Sequence, residues 1–366
     1  MKESAKENES AAAGWAADVK LAAKTLPPAY FAMVMATGIV SIAALLLGMR
    51  SLAIVLFAVN LAVYAALLLL TVLRLVRFRD ALLSDFTDHQ HSPGFFTIVA
   101  ASCLIGSQSI LLAGAYGTAL ILWMVSAALW VVLIYGIFAA LWLKHHKPSL
   151  AEGINGGWLL AVVATQSLAV LGELIAAHWP QPYRIELSFL DLTLWLCAGM
   201  LYIWMIALIF YRYTFFEVAP EELTPPYWIN MGAMAISTLA GSLLIENAPH
   251  APYLDSLLPF LKGFTVFYWA TGSWWIPMLV ILAFWRYVIM HVPLRYDPLD
   301  WGAVFPLGMY AAATWQMAHA MDLGFLKPLA AGFVVLAILA WTATFAGFIT
   351  TMRRNVLELR RAPRQT

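Results

Sequence analysis

The chain has 366 residues, of which 63% are hydrophobic and 11% charged, with a net charge of +1 and a mean hydropathy of +0.80. So much apolar surface is not buried by folding alone, which excludes a water-soluble globular protein and requires lipid to cover the remainder. The near-neutral balance offers no basic face for nucleic acid.

The first 26 residues are rich in Lys, Glu and Ala and lack the apolar core of a secretory signal, so they read as a cytoplasmic tail with a short amphipathic helix near 11–24. A bilayer core about 30 Å thick takes roughly 20 apolar residues of helix. Stretches of that kind follow at 28–48, 51–73, 93–113, 117–143, 155–177, 187–211, 226–245, 257–290, 301–321 and 325–350. The expectation is an all-α polytopic membrane protein with ten transmembrane helices over 27–352 and a second cytoplasmic tail at 353–366. The run at 257–290 is longer than one crossing and contains Pro277, so it reads as a tilted, kinked or overhanging helix.

Alternate loops carry most of the positive charge. Lys2, Lys6, Lys20, Lys24, Arg74, Arg77, Arg79, Lys144, Lys147, Arg212, Arg286, Arg295, Arg353, Arg354, Arg360, Arg361 and Arg364 fall on one side, leaving Arg50, Arg184, Lys262 and Lys327 on the other. Positive residues near span ends stay cytoplasmic, which places both termini on the cytoplasmic side of a bacterial inner membrane. The 74–92 loop, which mixes both signs, reads as a solvated connection.

The odd-numbered spans begin alike, with Pro or Gly and then an aromatic: LPPAYFAMVMATG, HSPGFFTIVAASC, INGGWLLAVVATQ, TPPYWINMGAMAI and DPLDWGAVFPLGM. Anchored on Tyr30, Phe95, Trp158, Trp228 and Trp301, their spacings of 65, 63, 70 and 73 residues match two spans and two loops, so the unit is a helical hairpin repeated five times. Seven residues beyond each anchor stand Thr37, Ser102, Thr165, Ala235 and Gly308, all small, about 10 Å deeper at 1.5 Å per residue. Two readings fit such a layer: close helix packing, or a pore whose hydroxyls meet a passing solute. Pro306 frees the carbonyl of Gly302 and bends the ninth span beside Phe305, so Phe305 is either packing or a ring on the pore axis.

Ionisable residues border the spans: Glu173, Glu246, His319 and Asp322 near the outer ends of odd spans, Asp191 and Lys262 near the starts of even ones. They are either solvated at the mouths or protonatable groups of a relay, with Glu173 and His319 the candidates for proton coupling. Nucleotide fingerprints and Cys/His metal spacing are not found, Cys103 and Cys197 sit mid-span without expectation of a disulfide, and no metal or other cofactor is expected. An enzyme is therefore not expected. A membrane redox or structural subunit is the different-class alternative, but a b-type cytochrome needs facing axial histidines, and of the eight only His319 falls inside a span.

The segments PPAYFAMVMATGIVS at 27–41, LYIWMIALIFYR at 201–212, PPYWINMGAMAISTLAG at 225–241 and WGAVFPLGMY at 301–310, in that order, resemble the tellurite-resistance/dicarboxylate transporter family, which also takes in malate and sulfite transporters and slow anion channels. The resemblance covers roughly 27–352. It implies five hairpins around a quasi-fivefold central pore, odd helices inside and even ones outside, in a homotrimer with one pore per subunit. It further implies a phenylalanine of the ninth helix occluding the pore, here Phe305, with the small layer close to it. The function it implies is transport of small anions, either four-carbon dicarboxylates such as malate and succinate or inorganic oxyanions such as tellurite and sulfite, with a halide- or nitrate-type channel as the alternative.

Overall fold

A computed structural model describes the backbone of residues 18–361 and the side chains of residues 18–354. The chain is helical from residue 18 to 25, and the part of the expected tail helix before residue 18 lies outside the described residues. Ten long helices follow: α1 (Ala32–Leu46), α2 (Arg50–Arg77), α3 (Phe96–Ala113), α4 (Tyr116–Leu143), α5 (Leu160–Ala176), α6 (Tyr183–Phe215), α7 (Ile229–Asn247), α8 (Leu258–Phe284), α9 (Trp301–Ala320) and α10 (Lys327–Arg361). The described residues contain no strand.

Nine of these, each with any short helical turn continuous with it, are long and apolar enough to cross a membrane. The exception is α9, 20 residues long, whose Gln316 and His319 dilute its apolar character although most of it is buried. The long run around Pro277 is one element, not two: α8 passes through the proline and ends in a π-turn over Trp285–Ile289.

The helices sort into two shells. In α1, α3, α5 and α7 between 72% and 94% of the most apolar window is buried, against 22% in α2, α4, α8 and α10 and 50% in α6. Each inner helix packs on two inner neighbours, α1 on α3, α3 on α5, α5 on α7, α7 on α9 and α9 back on α1, so the inner set closes on itself. Every outer helix lies on its own inner partner and also touches the inner helix of the following hairpin. Outer residues such as Leu69, Tyr135, Trp142 and Trp204 stay exposed, as a lipid-facing surface requires.

One sequence expectation is overturned on the loop at 74–92. Residues Arg79–Phe86 form a short helix, and Arg74 is buried rather than solvated, its guanidinium donating to the Leu26 carbonyl at 2.7 Å and to Asp85 at 2.6 Å. A charged group leaves water only when such partners are waiting.

Candidate functional site: a vestibule at the inner-helix starts

Each inner helix is entered through a short 3-10 turn: Pro28–Phe31, Ser92–Phe95, Gly156–Leu159, Pro225–Trp228 and Pro298–Asp300. Four of the five carry proline in the first turn, where a missing N–H costs nothing. The aromatic anchors of the repeat sit in or directly after these turns. The glycines of the motif have a separate reason. A side chain at Gly94 would meet the backbone nitrogen of Ala29 at 2.7 Å, and one at Gly156 would meet the Pro226 carbonyl oxygen, so neighbouring turns touch backbone to backbone.

The five turns surround a cavity of about 680 Å³. Its wall takes residues from all five inner-helix starts, and the lining residues furthest along their helices are Met35 and Phe305. Phe305 is only 2% exposed, and its ring is part of the cavity wall. Pro306 beside it packs closely on Gly232 of α7, where a Cβ would lie 2.8 Å from Cγ of Pro306.

Charge is confined to the rim. Arg212, at the end of α6 and 4% exposed, donates to Glu222 at 2.7 Å and to the Ala151 carbonyl at 2.8 Å. Glu152, Glu217 and Asp297 complete the ionisable carboxylates of the lining, with His91 beside them. The Ser149 hydroxyl and backbone N–H hold the Glu152 carboxyl below the usual range by hydrogen bonding to its charged form. Inward of this rim the lining side chains, among them Met35, Thr97, Leu160, Ile229 and Phe305, are uncharged.

All five residues of the small layer are buried, and none lines this cavity. The three hydroxyls point outward, to the outer helix of the preceding hairpin. Thr37 Oγ1 accepts from Trp341 Nε1 of α10 at 3.0 Å. Ser102 Oγ, whose proton goes to the Ile98 carbonyl, meets the Tyr64 hydroxyl of α2 at 2.7 Å. Thr165 Oγ1 donates to the Ala161 carbonyl and accepts from Trp130 Nε1 of α4 at 2.8 Å. Equivalent bonds close the other two junctions: Trp195 of α6 to the Ser237 carbonyl of α7 at 2.8 Å, and Trp269 of α8 to Thr314 of α9 at 3.0 Å. Ala235 lies where α8 comes close, opposite Gly272. Gly308 gives room to α1, since a Cβ there would sit 2.9 Å from Ile39 Cγ2.

Sequence reasoning missed these aromatic donors. Tyr64, Trp130, Trp195, Trp269 and Trp341 recur at 66, 65, 74 and 72 residues, nearly the period of the anchors, so the signal was available in the even spans.

At the other end of the inner helices the two residues considered for proton coupling part company. His319 is largely exposed, 4.0 Å from Glu246. Glu173 has no exposed surface, accepts a bond from Asn247 Nδ2 of α7, and faces Asp191 of α6, also wholly buried.

A family model described as voltage-dependent anion channel (SLAC1) matches residues 25–349. Among individual relatives, the chain is 38% identical over 151 residues to an uncharacterized membrane protein of Mycobacterium tuberculosis, an overlap of 41% of this chain and 75% of the other. It is 24% identical to an uncharacterized transporter of Methanocaldococcus jannaschii over 88% of this chain and 92% of the relative. Identity is again 24% to a sulfite efflux pump of Trichophyton rubrum, over 89% and 90% respectively.

Proposed function

The chain belongs to the voltage-dependent anion channel family, and we propose that it carries small anions across the bacterial inner membrane along the axis of the inner-helix ring, with Phe305 as the plug. One observation supports this reading: all five inner-helix starts contribute to the wall of one cavity, and Phe305 is among its lining residues. The N-terminus of a helix holds roughly half a positive charge, so five of them favour an anion at a floor without fixed cations. A buried Lys or Arg would bind the anion tightly and slow its exit, whereas dipoles release it.

On this reading α9 is the tenth crossing and both termini lie in the cytoplasm with the vestibule, whose surroundings carry the excess of Lys and Arg. The assembly is a homotrimer with one path per subunit. The solutes are small oxyanions such as sulfite or tellurite, or four-carbon dicarboxylates such as malate and succinate. The sulfite efflux pump among the relatives favours the oxyanion class. Thr37, Ser102 and Thr165, with Ala235 and Gly308, bound the path at its narrow layer, the outward hydrogen bonds of the three hydroxyls helping to fix its width.

Proteoliposomes loaded in turn with sulfite, tellurite, malate, succinate, nitrate and chloride, with and without a pH gradient, test the reading. Selective movement of oxyanions or dicarboxylates is expected. Preference for chloride and nitrate favours the halide-type channel, and no anion movement in any condition refutes transport along this path.

A further inference from the structure

Glu173 lies in the last turn of α5, thirteen residues beyond the vestibule residue Leu160 and therefore about 20 Å from it along the helix. Asp191 stands opposite on α6, so close over α5 that a side chain at Gly172 would collide with both of its carboxylate oxygens. Neither residue has exposed surface. Asn247 ties the cluster to α7, donating from Nδ2 to both the backbone carbonyl and Oε2 of Glu173 and accepting from Arg184 at 2.8 Å. Tyr253, in the short helix Pro252–Ser256, lies near both carboxyls with its hydroxyl on the Ile185 carbonyl, and buried Ser188 and Cys103 complete the surroundings.

The charges in this cluster do not balance. Arg184 acts on Glu173, and among the described residues no cation acts on Asp191. The hydrogen bonds do not balance either. Oε1 of Glu173 and both oxygens of Asp191 are buried acceptors without a donor, and the two carboxyls face each other. Two like charges in contact away from water are unfavourable, and unpaired buried acceptors cost further. A single proton removes the first deficit and most of the second: it neutralises the carboxyl that lacks a cation and gives Oε1 of Glu173 a donor, leaving one Asp191 oxygen to the unpaired Ser188 hydroxyl nearby.

We propose that Asp191 and Glu173 form a proton-binding site at the α5–α6–α7 junction, in which Asp191 carries the proton and donates it to Oε1 of Glu173. No bond other than O–H is made or broken, and the proton exchanges with water past Arg184 and Tyr253. Loss of the proton would set two carboxylates against each other across the α5–α6 contact, so occupancy adjusts how tightly the end of the path remote from the vestibule is closed. The coupling to anion movement rests on the transport reading above; the proton site itself does not.

Infrared spectra of the purified protein test the site without transport. A protonated-carboxyl C=O stretch is expected in the wild type near neutral pH, lost in both Asp191→Asn and Glu173→Gln and kept in Glu246→Gln. Both test substitutions nearly preserve volume, so one serves if the other does not fold. Persistence of the band in both variants, or its absence from the wild type, overturns the proposal. So does a wild-type melting temperature that rises with sodium but not potassium and loses this response in Asp191→Asn, which marks a cation in place of the proton. In vesicles, anion flux across about pH 5 to 8 is expected to change several-fold in the wild type and to become flat in Asp191→Asn. An equal pH response in the two refutes the coupling, while flux from neither, with the infrared result intact, refutes the transport reading alone.

Discussion

Replacing Phe305 by alanine tests the plug directly. The ring is buried to 2% exposure and borders a cavity of about 680 Å³ on one side. Truncating a phenylalanine packed on all sides costs about 3–5 kcal/mol, and here the lower end applies because vestibule water occupies part of the vacated space. A solute passing the closed neck must displace the ring. If roughly half of the lower figure, about 1.5 kcal/mol, is the barrier this adds, its removal raises flux about tenfold, since each 1.4 kcal/mol is about a factor of ten. The assay is initial anion efflux from proteoliposomes, normalised to folded protein incorporated. Phe31→Ala is the control, because Phe31 is equally buried and packs edge-on to Tyr64 at 6.2 Å but does not line the cavity. It is expected to lower stability without raising flux. Unchanged flux in well-folded Phe305→Ala, or the same rise in Phe31→Ala, refutes the plug.

Trp341→Phe removes the donor to Thr37 that joins the last hairpin to the first, and a loss of about 1 kcal/mol is expected in thermal unfolding. The coupling disappears when Trp341→Phe is combined with Thr37→Val, and strict additivity of the two would refute a shared bond. Gly308→Val drives a side chain into Ile39 where α9 meets α1, with an expected cost of about 1–3 kcal/mol seen as a lower melting temperature; wild-type melting refutes the contact. Arg212→Gln leaves Glu222 without its cation at the rim, so anion entry from the vestibule side is expected to fall several-fold at low salt and to recover at high salt. Salt-independent flux equal to wild type would show that the rim charge does not act on the solute.

The architecture was legible because membrane thickness and repetition both write themselves into spacing. A hairpin that crosses twice has nearly fixed length, so Tyr30, Phe95, Trp158, Trp228 and Trp301 mark five equivalent turns. What spacing does not encode is the partner of each group. Arg74 looked like a loop cation because Asp85 becomes its neighbour only when residues Arg79–Phe86 fold back as a helix. Glu173 and Asp191 looked like mouth residues because depth along one helix says nothing of cover by another; the end of α7 and the short helix Pro252–Ser256 exclude the water. The direction of the layer hydroxyls could not be read from spacing either, because it is set by indole and phenol donors on helices of other hairpins.

That direction bears on how such a conduit works. Hydroxyls bonded outward hold the inner helices to the outer shell at four junctions, and at the fifth the Ser237 carbonyl takes the indole N–H instead. The ring is thereby clamped from outside, in addition to the bonds that join its own members, such as Gln166 of α5 to Ser237 of α7 at 3.0 Å and Gln316 of α9 to Glu246 of α7 at 2.8 Å. On the proposed path an anion meets helix dipoles at the vestibule, a neutral narrow layer, and then the end bordered by Glu173 and Asp191. Weak attraction along the first part favours release over capture. Discrimination between anions then falls to size and dehydration at the neck, and the proton site, lying between α5 and α6, acts on the width of the path by moving helices and not by binding the solute.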